Sequence, residues 1–109
     1  MLYHLVSQRE FEGQSSSAPY MPASLAGEGF IHLTAEPERV AWVANAFYRE
    51  VPDLLVLSVD ETRLAAPVRF ERTPDGVFPH LYGPLERRAI VAIQPMPRNQ
   101  TGDYEFPGA

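Results

Sequence analysis

Leu54-Leu55-Val56-Leu57-Ser58-Val59 is an unbroken apolar run of strand length, and it constrains the fold more than any other segment. A strand with one wet face alternates apolar and polar residues, whereas a run without alternation needs cover on both faces. This segment is therefore expected at the centre of a sheet, with a layer on each side. Ala89-Ile90-Val91-Ala92-Ile93 is a second such run, expected to pair deep in the sheet before Pro95 and Pro97 stop it.

The segments around these runs supply the other elements. Leu2 to Val6 reads as a strand that enters the core at once and carries His4 at its middle. Ser7 is placed to cap one helical turn, after which the chain to residue 28 reads as a surface loop, because Gly13 to Pro22 is rich in serine, glycine and proline. Gly29 to Thr34 reads as a strand. Thr34 is expected to cap a helix reaching about Arg49, with Glu36, Pro37 and Glu38 in its first turn. Val40, Val43, Ala44 and Phe47 recur on one face of that helix and should stack on the sheet. Val68-Arg69-Phe70-Glu71 alternates, and Thr73-Pro74-Asp75-Gly76 has the residues of a hairpin turn before Val77-Phe78.

These elements define the expected fold class, α+β: one small domain with a bent, mostly antiparallel sheet of about five to six strands and one main amphipathic helix. With 109 residues, 45% of them hydrophobic, the chain has material for one core and little room for a second domain. The domain is expected over residues 1–97. Residues 98–109 read as a loosely attached tail in which only Tyr104 and Phe106 could dock.

Absences narrow the chemistry. The chain has no cysteine, and all nine of its basic residues are arginine. Schiff-base, thiol and Walker-loop chemistry therefore have no residue to work with, and disulfides and thiolate zinc sites are excluded. The net charge of −5 argues against a nucleic-acid partner. No apolar stretch reaches membrane-spanning length, and Met1 to Ser7 lacks the pattern of a signal peptide. The expectation is a soluble cytoplasmic protein that begins at its natural start, with neither nucleic acid nor membrane as partner.

Three histidines remain as chemistry-bearing groups: His4, His32 and His80, each beside apolar or aromatic neighbours. A single strand histidine is ordinarily a satisfied core residue; three in so short a chain weaken that reading without removing it. No pair has the spacing that puts two metal ligands on one strand or helix face, so no metal is assigned. Most carboxylates sit at helix ends and turns. Glu71 and Glu86 each adjoin a strand and an arginine, where surface ion pairs are the ordinary reading. Arg69, Arg72, Arg87 and Arg88 are the candidates for an anion site, against a default of solvated arginines.

Leu2-Tyr3-His4-Leu5-Val6, Gly29-Phe30-Ile31-His32-Leu33-Thr34 and Phe78-Pro79-His80-Leu81-Tyr82-Gly83-Pro84-Leu85, read in this order, resemble the domain-of-unknown-function 952 (DUF952) family over about residues 2 to 95. The resemblance implies a fold similar to that of the ADP-ribosyltransferases, whose cleft in active relatives holds NAD. On that basis His4 would bond the nicotinamide-side ribose, His32 and Thr34 would stand near the nicotinamide, and Glu86 would take the place of the late catalytic glutamate. The oxocarbenium-like chemistry of such enzymes needs a held ribose and a carboxylate more than a strong nucleophile.

The expected function is ligand binding in a cleft lined by His4, His32, Thr34, His80 and Tyr82, the ligand being nucleotide-like, such as NAD or ADP-ribose. No cofactor is certain, and NAD would be ligand or substrate. Two alternatives stand beside it: an active transferase or NAD glycohydrolase using Glu86, and a non-catalytic interaction module using an acidic surface or Tyr104-Glu105-Phe106.

Overall fold

A computed structural model describes residues 1–106. The first strand, β1 (Leu2–Ser7), runs into a short helix α1 (Gln8–Glu12), whose Glu10 amide donates to the Ser7 hydroxyl as the sequence predicts. A second short helix, α2 (Ala23–Glu28), follows and ends at Gly29, whose φ of 87° is the left-handed stop that glycine accommodates. Then come β2 (Ile31–His32), α3 (Pro37–Phe47), β3 (Leu54–Val59), β4 (Val68–Thr73), β5 (Gly76–Leu81) and β6 (Ile90–Pro95). Three-residue 3-10 turns at Glu61–Arg63 and Arg87–Ala89 punctuate the second half.

The six strands form two antiparallel three-stranded sheets, β1-β3-β6 and β2-β5-β4, where the sequence reading expected one bent sheet. The division falls after β2, which pairs through only two residues; the sheets meet where Tyr3 of β1 bridges Thr34 just beyond it. That bridge is made by two backbone hydrogen bonds of 2.8 Å and takes Thr34 away from the predicted helix cap, leaving Glu36 at the cap position of α3.

β3 is central, as its unbroken apolar run requires. Leu55, Leu57 and Val59 face a core that also contains Leu2, Val6, Ile31 and Leu81; Leu54 and Val56 face a second core against Val40 and Ala44 of α3. The period-two alternation of β1 does the same, sending Leu2 and Val6 one way and Tyr3 and Leu5 the other.

Two expectations fail here for identifiable reasons. The apolar run ending at Ile93 lies on the sheet edge, with Val91 and Ile93 exposed at 46% and 54%, because no layer among the described residues extends over β6 as α3 does over β1 and β3. Phe47 is also exposed, since α3 presents Val40 and Ala44 to the core and ends at Phe47.

The tail is docked rather than loose over residues 98–106. Tyr104 is 3% exposed in the core beneath α3, and its backbone amide and carbonyl are both held by the Asn45 side chain. Its hydroxyl donates to the Val51 carbonyl and accepts from Arg98, while Phe106 packs edge-on against Tyr3 at 5.1 Å. Residues 107–109 lie outside the described part of the chain.

Candidate functional site

A cleft of about 380 Å³ opens between β1, the C-terminal half of α3 and the sheet containing β2 and β5. Alternation sets its walls: Ile31 and Leu81 point into the core, which leaves His32 and His80, their neighbours in the chain, on the cleft face. Tyr3, Leu5, Val43, Phe47 and Phe78 supply apolar and aromatic surface, and Thr34, Thr73 and Asp75 add polar groups. A smaller hollow of about 190 Å³ adjoins it, sharing Leu5, His32 and Tyr48, and is lined also by His4, Glu10 and Tyr20.

His32 and His80 are register partners across β2 and β5, so their rings meet edge to face with centroids 5.4 Å apart. Phe30 stacks on His80 at 4.1 Å and contacts His32 at 4.9 Å. His80 is buried, and its Nδ1 lies 2.7 Å from Oε1 of Glu71. The same carboxylate oxygen accepts the Tyr82 hydroxyl at 2.5 Å. Hydrogen bonds from Tyr82 first, and from His80 next, hold the Glu71 carboxyl below its usual range and keep it an acceptor. The Tyr82 hydroxyl is correspondingly pushed up by its bond to Glu71, and Arg69 lies over its ring at 5.1 Å. His32, more exposed, donates from Nε2 to Glu28 at 2.9 Å.

His4 has a different setting. Its Nδ1 donates to the His32 carbonyl at 2.7 Å, and its Nε2 lies 3.3 Å from the Tyr20 hydroxyl. Burial pushes its pKa down to about 4, outweighing the bond to His32, so the ring is neutral near pH 7. With Nδ1 occupied as donor, Nε2 accepts from Tyr20, whose hydroxyl burial holds protonated. His4 therefore fixes the backbone of β2 behind the cleft and lines only the smaller hollow.

Of the residues singled out in the sequence, His32, Thr34 and His80 line the main cleft. Tyr82 joins them indirectly, through Glu71. Glu86 lines neither hollow; it precedes the Arg87–Ala89 turn and accepts from the Ala65 amide at 3.3 Å. The arginines do not form an anion site as a group, because Arg87 is spent on the Ala18 and Ser15 carbonyls and lies against Phe11. Glu71 and Phe30 were not assigned to the site from sequence, although the hairpin turn contains the signal. Closing it at Thr73 and Gly76 pairs Arg69 with His80 and leaves Glu71 diagonal to the imidazole.

Among the described residues, no group of three or more histidine, aspartate or glutamate side chains stands together as metal ligands. No helix among them is long and apolar enough to cross a membrane.

The fold and its histidine-lined cleft define a small α+β protein built on two antiparallel sheets. The chain belongs to the DUF952 family, described as proteins of unknown function, whose model matches residues 5–93. No curated protein matches the sequence. The chain is similar to the crystal structure of protein CC0527 from Caulobacter crescentus, with a TM-score of 0.80 and 25% identity over 95% of this chain and 92% of that one. The solution NMR structure of CC0527 matches with a TM-score of 0.76 and 26% identity, covering 94% of this chain and 89% of that one.

Proposed function

We propose that the cleft binds a nucleotide-like small molecule of the NAD or ADP-ribose class, in a fold of the ADP-ribosyltransferase kind. The observation that supports this most is the division of its walls. Tyr3, Phe47 and Phe78 offer apolar surface for a planar ring, while His32, Thr34 and His80 bring hydrogen-bonding groups to the same space. Small-molecule sites combine a mostly apolar lining with a few placed polar groups, and aromatic surfaces favour flat ligands. The hollow at His4 and Tyr20 shares Leu5, His32 and Tyr48 with the cleft and is the place next to it for the rest of a longer ligand. Such ligands belong to the cytoplasmic pool, and the proposal places the protein there.

The reading is one of binding, and Glu86 does not add turnover to it. Cleavage of a nicotinamide–ribose bond calls for a carboxylate beside the ribose, and the one that the resemblance offers for that role, Glu86, is turned to the Ala65 amide outside both hollows; the carboxylates that do line them are Asp75 and Glu10. Calorimetric titration with ADP-ribose and NAD tests the proposal, using the wild type and a Val43→Trp variant that fills the cleft. Saturable binding by the wild type and its loss in a folded Val43→Trp protein is the expected result. Absence of binding in the wild type at millimolar ligand, or equal binding in both proteins, would remove it.

A further inference from the structure

The His80 imidazole is fixed on three sides. Phe30 lies flat against it, His32 meets it edge-on, and Glu71 takes its Nδ1. Glu71 accepts here, because the hydrogen bonds it receives hold its carboxyl low and ionised, and an ionised carboxylate has no proton to donate, so Nδ1 carries the proton. In the neutral ring Nε2 is then a bare lone pair. It has no hydrogen-bond partner among the described residues, yet no side-chain nitrogen or oxygen among them is both sealed from solvent and unpartnered. Nε2 is therefore not sealed from solvent, and His80 is part of the cleft wall.

A carboxylate on one ring nitrogen selects the tautomer that presents the other nitrogen as an acceptor. We propose that His80 is the specificity-determining acceptor of the cleft, held in that state by Glu71 as a positioning residue, and that it selects ligands presenting a sugar hydroxyl. This deepens the nucleotide reading and rests on it for the class of ligand. The arrangement discriminates by chemistry. A hydroxyl donor completes the imidazole's bonding, whereas an anionic oxygen at the same place would face a lone pair and the Glu71 charge behind it. With the ring neutral, the contact therefore suits a ribose hydroxyl and not a phosphate oxygen.

The test has a part that needs no ligand. Nitrogen-15 spectra of the free protein, recorded where the imidazole is neutral, should show His80 protonated at Nδ1 and bare at Nε2. In Glu71→Gln the proton should redistribute toward Nε2, since a carboxamide can donate to Nδ1. Titration with ADP-ribose should then show affinity at least tenfold weaker in both His80→Phe and Glu71→Gln, with folding checked by the amide spectrum.

A free wild-type protein protonated at Nε2 would overturn the proposal whether or not any ligand binds. Full affinity for ADP-ribose in a folded Glu71→Gln protein whose tautomer has changed would overturn it as well. If the tautomers behave as stated but the wild type ignores ADP-ribose, the oriented acceptor stands and the nucleotide reading fails.

Discussion

Nδ1 of His4 donates to the backbone carbonyl of His32 at 2.7 Å, tying β1 to the strand that carries the cleft's own histidine. The bond spans the junction between the two sheets, beside the bridge between Tyr3 and Thr34. It makes His4 a structural member of the site: the residue that the family resemblance points to first holds the cleft wall from behind. Several measurable properties depend on that placement.

Stability should fall on mild acidification because of His4. Its folded pKa of about 4 lies below the ordinary value of 6.5, so between those pH values the unfolded chain binds the proton and the folded protein does not. The contribution is complete above pH 6.5 and diminishes as pH falls toward 4, by about 1.4 kcal/mol per pH unit. Glu71, Asp60 and Asp103, whose carboxyls are held low, lose their contributions at the acid end, as they protonate. Urea unfolding from pH 7 to 4.5 checks this, and His4→Gln should flatten the slope over that interval.

Tyr20→Phe should destabilise the fold by about 1 to 3 kcal/mol, because the buried Nε2 of His4 loses its donor. The phenyl ring still fills the same space against Phe11, so the loss reports the hydrogen bond rather than packing. Chemical denaturation at pH 7.5 measures it.

Tyr104→Ala should cost about 3 kcal/mol or more, the magnitude for truncating a buried aromatic residue. A loose tail would give almost no change. Asn45→Ala, which releases both backbone groups of Tyr104, should destabilise in the same direction by a smaller amount. Thermal unfolding of both variants checks the docking of residues 98–106.

Replacing Val91 and Ile93 with threonine should change stability by no more than about 0.5 kcal/mol each, since both side chains are exposed on the edge strand. The same change at Leu57, fully buried in β3, should be severe. The contrast, read by denaturant midpoints, separates two apolar runs that look alike in sequence.

That contrast also shows what the sequence could reveal. The run from Leu54 to Val59 told its own story because its apolar residues are used on both faces, and Ser7 and the Thr73 to Gly76 turn announced themselves through local chemistry. The run at β6 misled because nothing local records whether a second layer extends over it. Helix α2 was hidden by its length of six residues and by the absence of a side-chain cap. β5 runs through Pro79 to Leu81, farther than the Val77-Phe78 pair that the hairpin turn marks out, although proline is ordinarily unfavourable in a central strand. Within the site, the histidines were legible as residue types, whereas their separate roles depend on which partner each ring nitrogen meets. Only the register of the two sheets sets that.

The most direct test of the nucleotide cleft is an NMR titration of the labelled protein with ADP-ribose and NAD, following the imidazole signals and the backbone amides. The account predicts saturable shifts of His32 and His80 together with amides of Tyr3, Thr34, Val43 and Phe78. His4 should stay neutral, and its bond to the His32 carbonyl should remain intact. No shift at millimolar ligand, or shifts confined to residues away from the cleft, would contradict it.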